Sequence, residues 1–180
     1  MKLRSPIALI AFYVAFGASA QAQAAAPKLD PSWVSWQAST KTATFALIAG
    51  YPGAKSPFNF NGFVDGELTF LVPTGATVVM NFVNDDGVPH SAEVISGSGA
   101  IPNMSIAPGV AIPRAYTRKA LEGMNQGEKD AMRFSVPTAG DYRIFCGVPG
   151  HGLSGMWVRF KVDGTATEAK LVPTPKTTGS

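Results

Sequence analysis

Sulfur and imidazole donors are scarce in this chain of 180 residues, which holds one cysteine, Cys146, and two histidines, His90 and His151. A single cysteine excludes an internal disulfide framework, an iron–sulfur cluster and a four-cysteine zinc site. Two histidines cannot supply a three-histidine catalytic metal centre, and no Cys-x-x-Cys-His stands ready for covalent haem attachment. Charge is also sparse, at 15% of residues, while 46% are apolar, a balance that excludes a wholly disordered chain. What the chain has in quantity is turn-formers, 19 glycines and 14 prolines. That load argues against a helix bundle and for short strands joined by turns. The length suits one domain with tails, large enough to bury a core.

The N-terminus reads as a leader. Lys2 and Arg4 precede an uncharged run that includes the apolar stretch Ile7 to Phe16, and small-x-small sites follow at Ala18-Ser19-Ala20, Ala20-Gln21-Ala22 and Ala22-Gln23-Ala24. A basic start, a short apolar stretch and a small-residue cleavage site make up a secretory signal peptide, and the stretch is short of the roughly 20 residues of a membrane span. We therefore expect residues 1–24 to be a signal peptide and the protein to be exported, periplasmic or beyond. Of the 15 lysines and arginines, Lys2 and Arg4 leave with the leader, so the remainder nearly balances the 12 acidic residues. The basic isoelectric point is thus no argument for nucleic-acid binding.

Residues 25–41 form a linker or edge segment carrying Trp33 and Trp36. From residue 42 the hydrophobic period is two. Thr42 to Ala49 is β-prone; Leu68, Phe70 and Val72 share a face, as do Val78, Met80 and Phe82; His90, Ala92 and Val94; Met132, Phe134 and Val136; Tyr142, Ile144 and Cys146; and Met156, Val158, Phe160 and Val162. Such alternation predicts half-buried antiparallel strands, and their number and spacing predict a β-sandwich or barrel over 42–163. An insertion of about 96–130 interrupts the series: a Gly/Pro/Ser-rich loop, then a short helix expected over Tyr116 to Met124. Residues 164–180 are expected to be a frayed tail.

The chemistry concentrates in Cys146-Gly147-Val148-Pro149-Gly150-His151-Gly152-Leu153-Ser154-Gly155-Met156, which spaces a thiolate, an imidazole and a thioether evenly. His90 lies upstream between Pro89 and Ser91. Two imidazoles and a thiolate with a weak axial thioether are the mononuclear blue-copper set, and methionine is a soft donor suited to Cu(I). The strand parity turns Cys146, Met156 and His90 inward at one end of the sandwich. Taken singly, a lone cysteine is ordinarily a small buried hydrophobe and a methionine opening a strand is ordinarily core. It is the conjunction that makes His90, Cys146, His151 and Met156 a metal set, because both histidines fall where a copper site needs them and an exported protein has little use for a stray thiol.

Cys146-Gly-x-Pro-Gly-His151-x4-Met156 with the upstream Pro89-His90-Ser91 resembles the cupredoxins. Phe58-Asn59-Phe60-Asn61-Gly62 and Gly155-Met156-Trp157 extend the resemblance to the sulfocyanins, relatives of rusticyanin, over roughly residues 42–162. The resemblance implies a Greek-key β-sandwich, one type 1 copper ion and one-electron transfer in a respiratory chain. It also implies transient redox partners such as a cytochrome or a terminal oxidase. In cupredoxins the residue after the upstream histidine, here Ser91, often fastens the ligand loop. Sulfocyanins are often membrane-held, and the cleavable leader departs from that; association with a membrane surface stays open. The alternative function is a copper chaperone or store, which would want an exchangeable site richer in Met or His. An enzyme would need a second copper, for which no histidine is spare.

Overall fold

Residues 27–175 are described in a computed structural model. The expected leader therefore lies outside the described residues. Among the described residues nine strands build two facing sheets. The first has the order β1 (Val34–Gln37), β2 (Thr42–Ala49), β4 (Ala76–Asn84), β6 (Lys129–Val136). The second has the order β5 (Glu93–Ser96), β7 (Gly140–Phe145), β8 (Trp157–Asp163), β3 (Leu68–Pro73), β9 (Lys170–Pro173). The architecture is the all-β sandwich that the alternation predicts.

The period-two residues meet between the sheets. Phe45 of β2 packs edge-on against Phe70 of β3 with centroids 5.2 Å apart, and Phe134 of β6 meets Phe160 of β8 at 5.9 Å. All four are fully buried or nearly so, and each such side chain contributes roughly 2–3 kcal/mol of transfer free energy. Trp33 is buried against Tyr51 with centroids 5.3 Å apart, which closes the core at the start of edge strand β1.

Three expectations are corrected. The strands are not all antiparallel: β2 runs parallel to β4 and β3 parallel to β8. The chain crosses from β2 into the other sheet as β3 and returns as β4 in the original direction. Alternation reports which face is buried and carries nothing about a partner's direction. The helix over Tyr116 to Met124 does not form. Tyr116 bridges Glu93 and Met124 bridges His90, so the segment is held at both ends as strand-like backbone with only turns between. The tail is not frayed throughout either, since Lys170–Pro173 forms β9, antiparallel to β3, and Thr174 donates its amide to the Glu67 carbonyl at 2.7 Å.

The 96–130 segment acts as a roof on β5. Val94 donates to the Ala115 carbonyl, Thr117 to that of Ala92 and Ala111 to that of Val94. The free side of an edge strand is thereby covered, which removes a template for intermolecular pairing.

Candidate metal centre

Three loops converge at one end of the sandwich. His90 sits just ahead of β5, paired through its backbone with Met124: His90 N donates to Met124 O at 3.1 Å and Met124 N to His90 O at 2.7 Å. Asn84, at the end of β4 and fully buried, donates through Nδ2 to the carbonyls of Val88 and Met124, both at 2.8 Å. It thereby braces the stretch that delivers His90. Cys146 follows β7 and Met156 precedes β8, and their backbones are tied because Cys146 N donates to Met156 O at 3.0 Å. The loop between them folds on itself, with Met156 N donating to His151 O at 3.1 Å.

The side chains of His90, Cys146 and His151 point at one another, with one ligand atom from each inside a 4.8 Å span. The two Nδ1 atoms are 3.3 Å apart, and His151 Nδ1 is 3.5 Å from Cys146 Sγ. His90 and Cys146 are fully buried and His151 is half-buried. Met156 is fully buried beside them, its place set by its backbone bonds to the Cys146 and His151 residues. Phe58 covers the cluster, its ring 4.5 Å from that of His151 and 6.3 Å from that of His90.

That ring is delivered by the Asn59 and Asn61 side chains. Asn59 Oδ1 accepts from the Tyr51 and Gly62 amides, and Asn61 Oδ1 from that of Ile48, so the loop is locked by local side chain to backbone bonds.

The site is set for neutral imidazoles. Burial, and then the charge of His151, depress the His90 pKa to about 4, against a smaller raising effect from Asp86; burial also depresses that of His151. Both rings are thus unprotonated donors at neutral pH. Burial raises the Cys146 thiol, opposed by the amides of Ser91 and Val148, which favour the thiolate. In the metal-free protein the unfolded chain takes up a proton at His90 below about pH 6.5, where the folded chain does so only near pH 4. Stability contributed by His90 is therefore complete above that pH and lost as pH falls toward about 4, by about 3 kcal/mol. Urea unfolding of the metal-free protein between these limits checks this; a flat profile would contradict it.

Ser91 is the clasp. Its amide donates to Cys146 Sγ at 3.3 Å, its hydroxyl donates to the Ala120 carbonyl at 2.7 Å, and the same hydroxyl accepts from the Gly147 amide at 3.0 Å. Ser91→Ala leaves a buried donor and acceptor unmatched, and is expected to lower stability by about 1–3 kcal/mol while leaving the Ser91 amide on the sulfur. Thermal unfolding measures it, and an unchanged midpoint would contradict the clasp.

Sequence reasoning missed two residues. Glu93 is fully buried, its Oε2 accepting from the Ile106 amide at 3.1 Å, and its carboxyl is raised by burial. A Cβ at Gly147 would meet its Oε1 and come within 2.8 Å of the Ala120 carbonyl oxygen, and the approach of that backbone requires glycine there. Asp86 Oδ2 lies 3.8 Å from His90 Nε2, an atom that is buried without a hydrogen bond. A lone acid in an apolar strand is the only sequence signal for Glu93, and Asp86 hides in an ordinary Asn-Asp-Asp-Gly turn. Near the site, Arg118 pairs with Glu128 and Asp130, and Lys119 with Glu128.

The model of the Sulfocyanin (SoxE) domain family matches residues 31–172. The chain belongs to the sulfocyanin family. It is 30% identical to sulfocyanin of Sulfolobus acidocaldarius over 127 residues, covering 68% of this chain and spanning 64% of that relative's length. Among solved structures it is similar to rusticyanin from Thiobacillus ferrooxidans, with 24% identity, TM-score 0.51, and 73% and 88% of the two chains covered. A histidine-to-methionine variant of rusticyanin is 25% identical with TM-score 0.52, covering 68% of this chain and 78% of that one. The expected kinship with cupredoxins of the sulfocyanin and rusticyanin type thus holds.

Family membership implies one type 1 copper ion, and the donors present fit it. Two imidazole Nδ1 atoms and one sulfur converge, and ligation through Nδ1 leaves the His90 Nε2–H toward Asp86, the carboxylate that its otherwise unpartnered position faces.

Proposed function

We propose that the protein is an exported one-electron carrier of a respiratory chain, whose copper would be held by His90, Cys146, His151 and, more weakly, the thioether of Met156. The observation that carries this reading is the buried convergence of two histidine Nδ1 atoms on the single cysteine. Copper bound there supplies the Cu(I)/Cu(II) couple. The chain's own part is to hold donors still between the geometries the two states prefer. Ser91 fixes the thiolate, Asn84 and Met124 fix the His90 backbone, and Phe58 packs against both rings. Hydrogen bonds to the sulfur withdraw charge, which favours Cu(I) and raises the potential. Burial of three donors opposes ready metal exchange, which supports a carrier over a chaperone or store.

Electrons leave and enter at the loop face. Leu153 is 61% exposed, and Val88, Met104, Ile106 and Leu121 are the other large apolar side chains exposed among the described residues. All five lie on segments that touch the ligand loop or flank His90, and a small apolar patch of this kind suits brief docking with a cytochrome or terminal oxidase. Among the described residues no helix is long and apolar enough to cross a membrane. Leu153→Glu is expected to slow electron self-exchange about tenfold with little change in potential, because two copies must then bring like charges together. NMR line broadening in mixed-valence samples reads the rate, and an unaltered rate would contradict the docking face.

The reading as a whole is tested by redox titration of the copper-loaded protein. One reversible one-electron wave that bleaches a blue band is expected. A site that stays colourless and exchanges copper within minutes would support the chaperone instead.

A further inference from the structure

The outer face of the five-stranded sheet carries a cationic platform that the metal centre does not use. Arg143 of β7 and Arg159 of β8 are direct cross-strand partners. Their guanidinium carbons lie 5.6 Å and 6.0 Å from the centroid of the Trp157 ring, so one indole serves both cations. Like charges directly opposite on neighbouring strands are unfavourable. Yet among the described residues neither arginine has a carboxylate within ion-pair distance, in contrast to Arg118, Lys119 and Lys161. Burial, followed by the charge of Arg159, pulls the Arg143 pKa down, as expected for an uncompensated pair.

The platform is also preorganised. Arg143 donates from Nε and Nη2 to the Gly97 carbonyl and from Nη2 to that of Gly99 at 2.8 Å, and Arg159 donates from Nε to the Gly66 carbonyl at 3.1 Å. A Cβ at Gly66 would come within 2.6 Å of the Trp157 ring, so the edge of the indole packs directly against the Gly66 backbone. Backbone carbonyls thus fix each fork from one side, and the remaining Nη donors make no hydrogen bond to a described residue. A cavity of about 530 Å³ opens over Arg143, Trp157, Arg159 and Lys161, with Asp141 as its one lining carboxylate.

We propose that this platform docks an acidic surface segment of a protein redox partner, whose carboxylates pair with Arg143 and Arg159 beside Trp157; the partner's redox role rests on the carrier reading above. The argument is charge complementarity. Arg159, held only through Nε, keeps Nη1 and Nη2 free as a fork for a carboxylate, Arg143 offers its remaining Nη1, and the aromatic ring between them accepts the apolar stems of Glu or Asp. Trp157 directly follows Met156, and its register partner Phe145 directly precedes Cys146, so a partner here docks one residue along the chain from two of the proposed ligands.

The probe is a hexaglutamate peptide, titrated into the copper-loaded protein while the Trp157 indole N–H is followed by NMR, its signal identified with Trp157→Phe. Saturable binding is expected at low ionic strength, weakening about tenfold or more when salt is raised to about 200 mM. Arg143→Gln with Arg159→Gln should weaken binding about tenfold or more, Arg143→Lys with Arg159→Lys by less, and Arg118→Gln should change nothing. Because the lysine pair keeps the charges, it also separates lost recognition from a misfolded sheet. Cys146→Ser should bind the peptide as the wild type does, so failure of the copper reading leaves this result standing. Absence of a Trp157 shift, equal affinity in the glutamine pair, or displacement of the peptide by inorganic phosphate at lower concentration than the peptide itself would overturn the proposal.

Discussion

Cys146→Ser is expected to abolish the blue absorption and the reversible redox wave while leaving the sandwich folded. The colour of a type 1 site arises from charge transfer out of a thiolate, and Cys146 is the only thiol in the chain. A serine hydroxyl is nearly isosteric, still accepts from the Ser91 amide, and interrupts no strand, since Cys146 lies just beyond β7. The cost in stability is expected at about 1 kcal/mol, within the ordinary range for a conservative buried change. Absorption, voltammetry and circular dichroism on one preparation check all three statements. A variant that stays blue would remove Cys146 from the ligand set.

The second large effect concerns Met156. A thioether is a weak neutral donor that adds little bonding and mainly sets how strongly Cu(II) is stabilised. Met156→Gln places a harder oxygen there, favours Cu(II), and should lower the potential. Met156→Leu removes the donor and keeps the bulk, and should raise it. A tenfold change in the relative affinity for the two oxidation states is about 59 mV for one electron, and one to two such decades, about 60–120 mV, are expected in each direction. Copper should remain bound in both, because His90, Cys146 and His151 carry the strong bonds. If Met156 were only core, Met156→Leu would be a volume-conserving swap costing less than about 1.5 kcal/mol with no redox consequence. Voltammetry on the three proteins separates the cases, and coincident potentials or the reverse order would remove the axial ligand.

The converging donors were legible because their chemistry is rare and local. Cys146 and His151 lie within one turn-rich loop, and strand parity turns Cys146 inward from Tyr142 and Ile144. His90 was legible because only two histidines exist. What escaped was set by distant contacts. The Ala120 carbonyl that receives the Ser91 hydroxyl is a backbone atom and leaves no mark in composition. The loop at 96–130 reads as an excursion, yet it supplies Met124, which registers His90, and Ser105, whose amide donates to the Gly147 carbonyl at 2.7 Å. The Tyr116 to Met124 stretch has helix-forming residues between two bridged ends, and tertiary pairing overrides that preference. β9 is too short to show a period, and only its partner β3 defines it.

The most direct test of a trigonal histidine–cysteine–histidine copper site is electron paramagnetic resonance of the metal-free protein loaded with Cu(II). The account predicts saturation at one equivalent, together with intense blue colour and the narrow copper hyperfine splitting that a covalent thiolate bond produces. Wide splitting with weak colour, or continued uptake beyond one equivalent, would mean that copper binds outside the His90, Cys146 and His151 cluster, and would contradict the central claim.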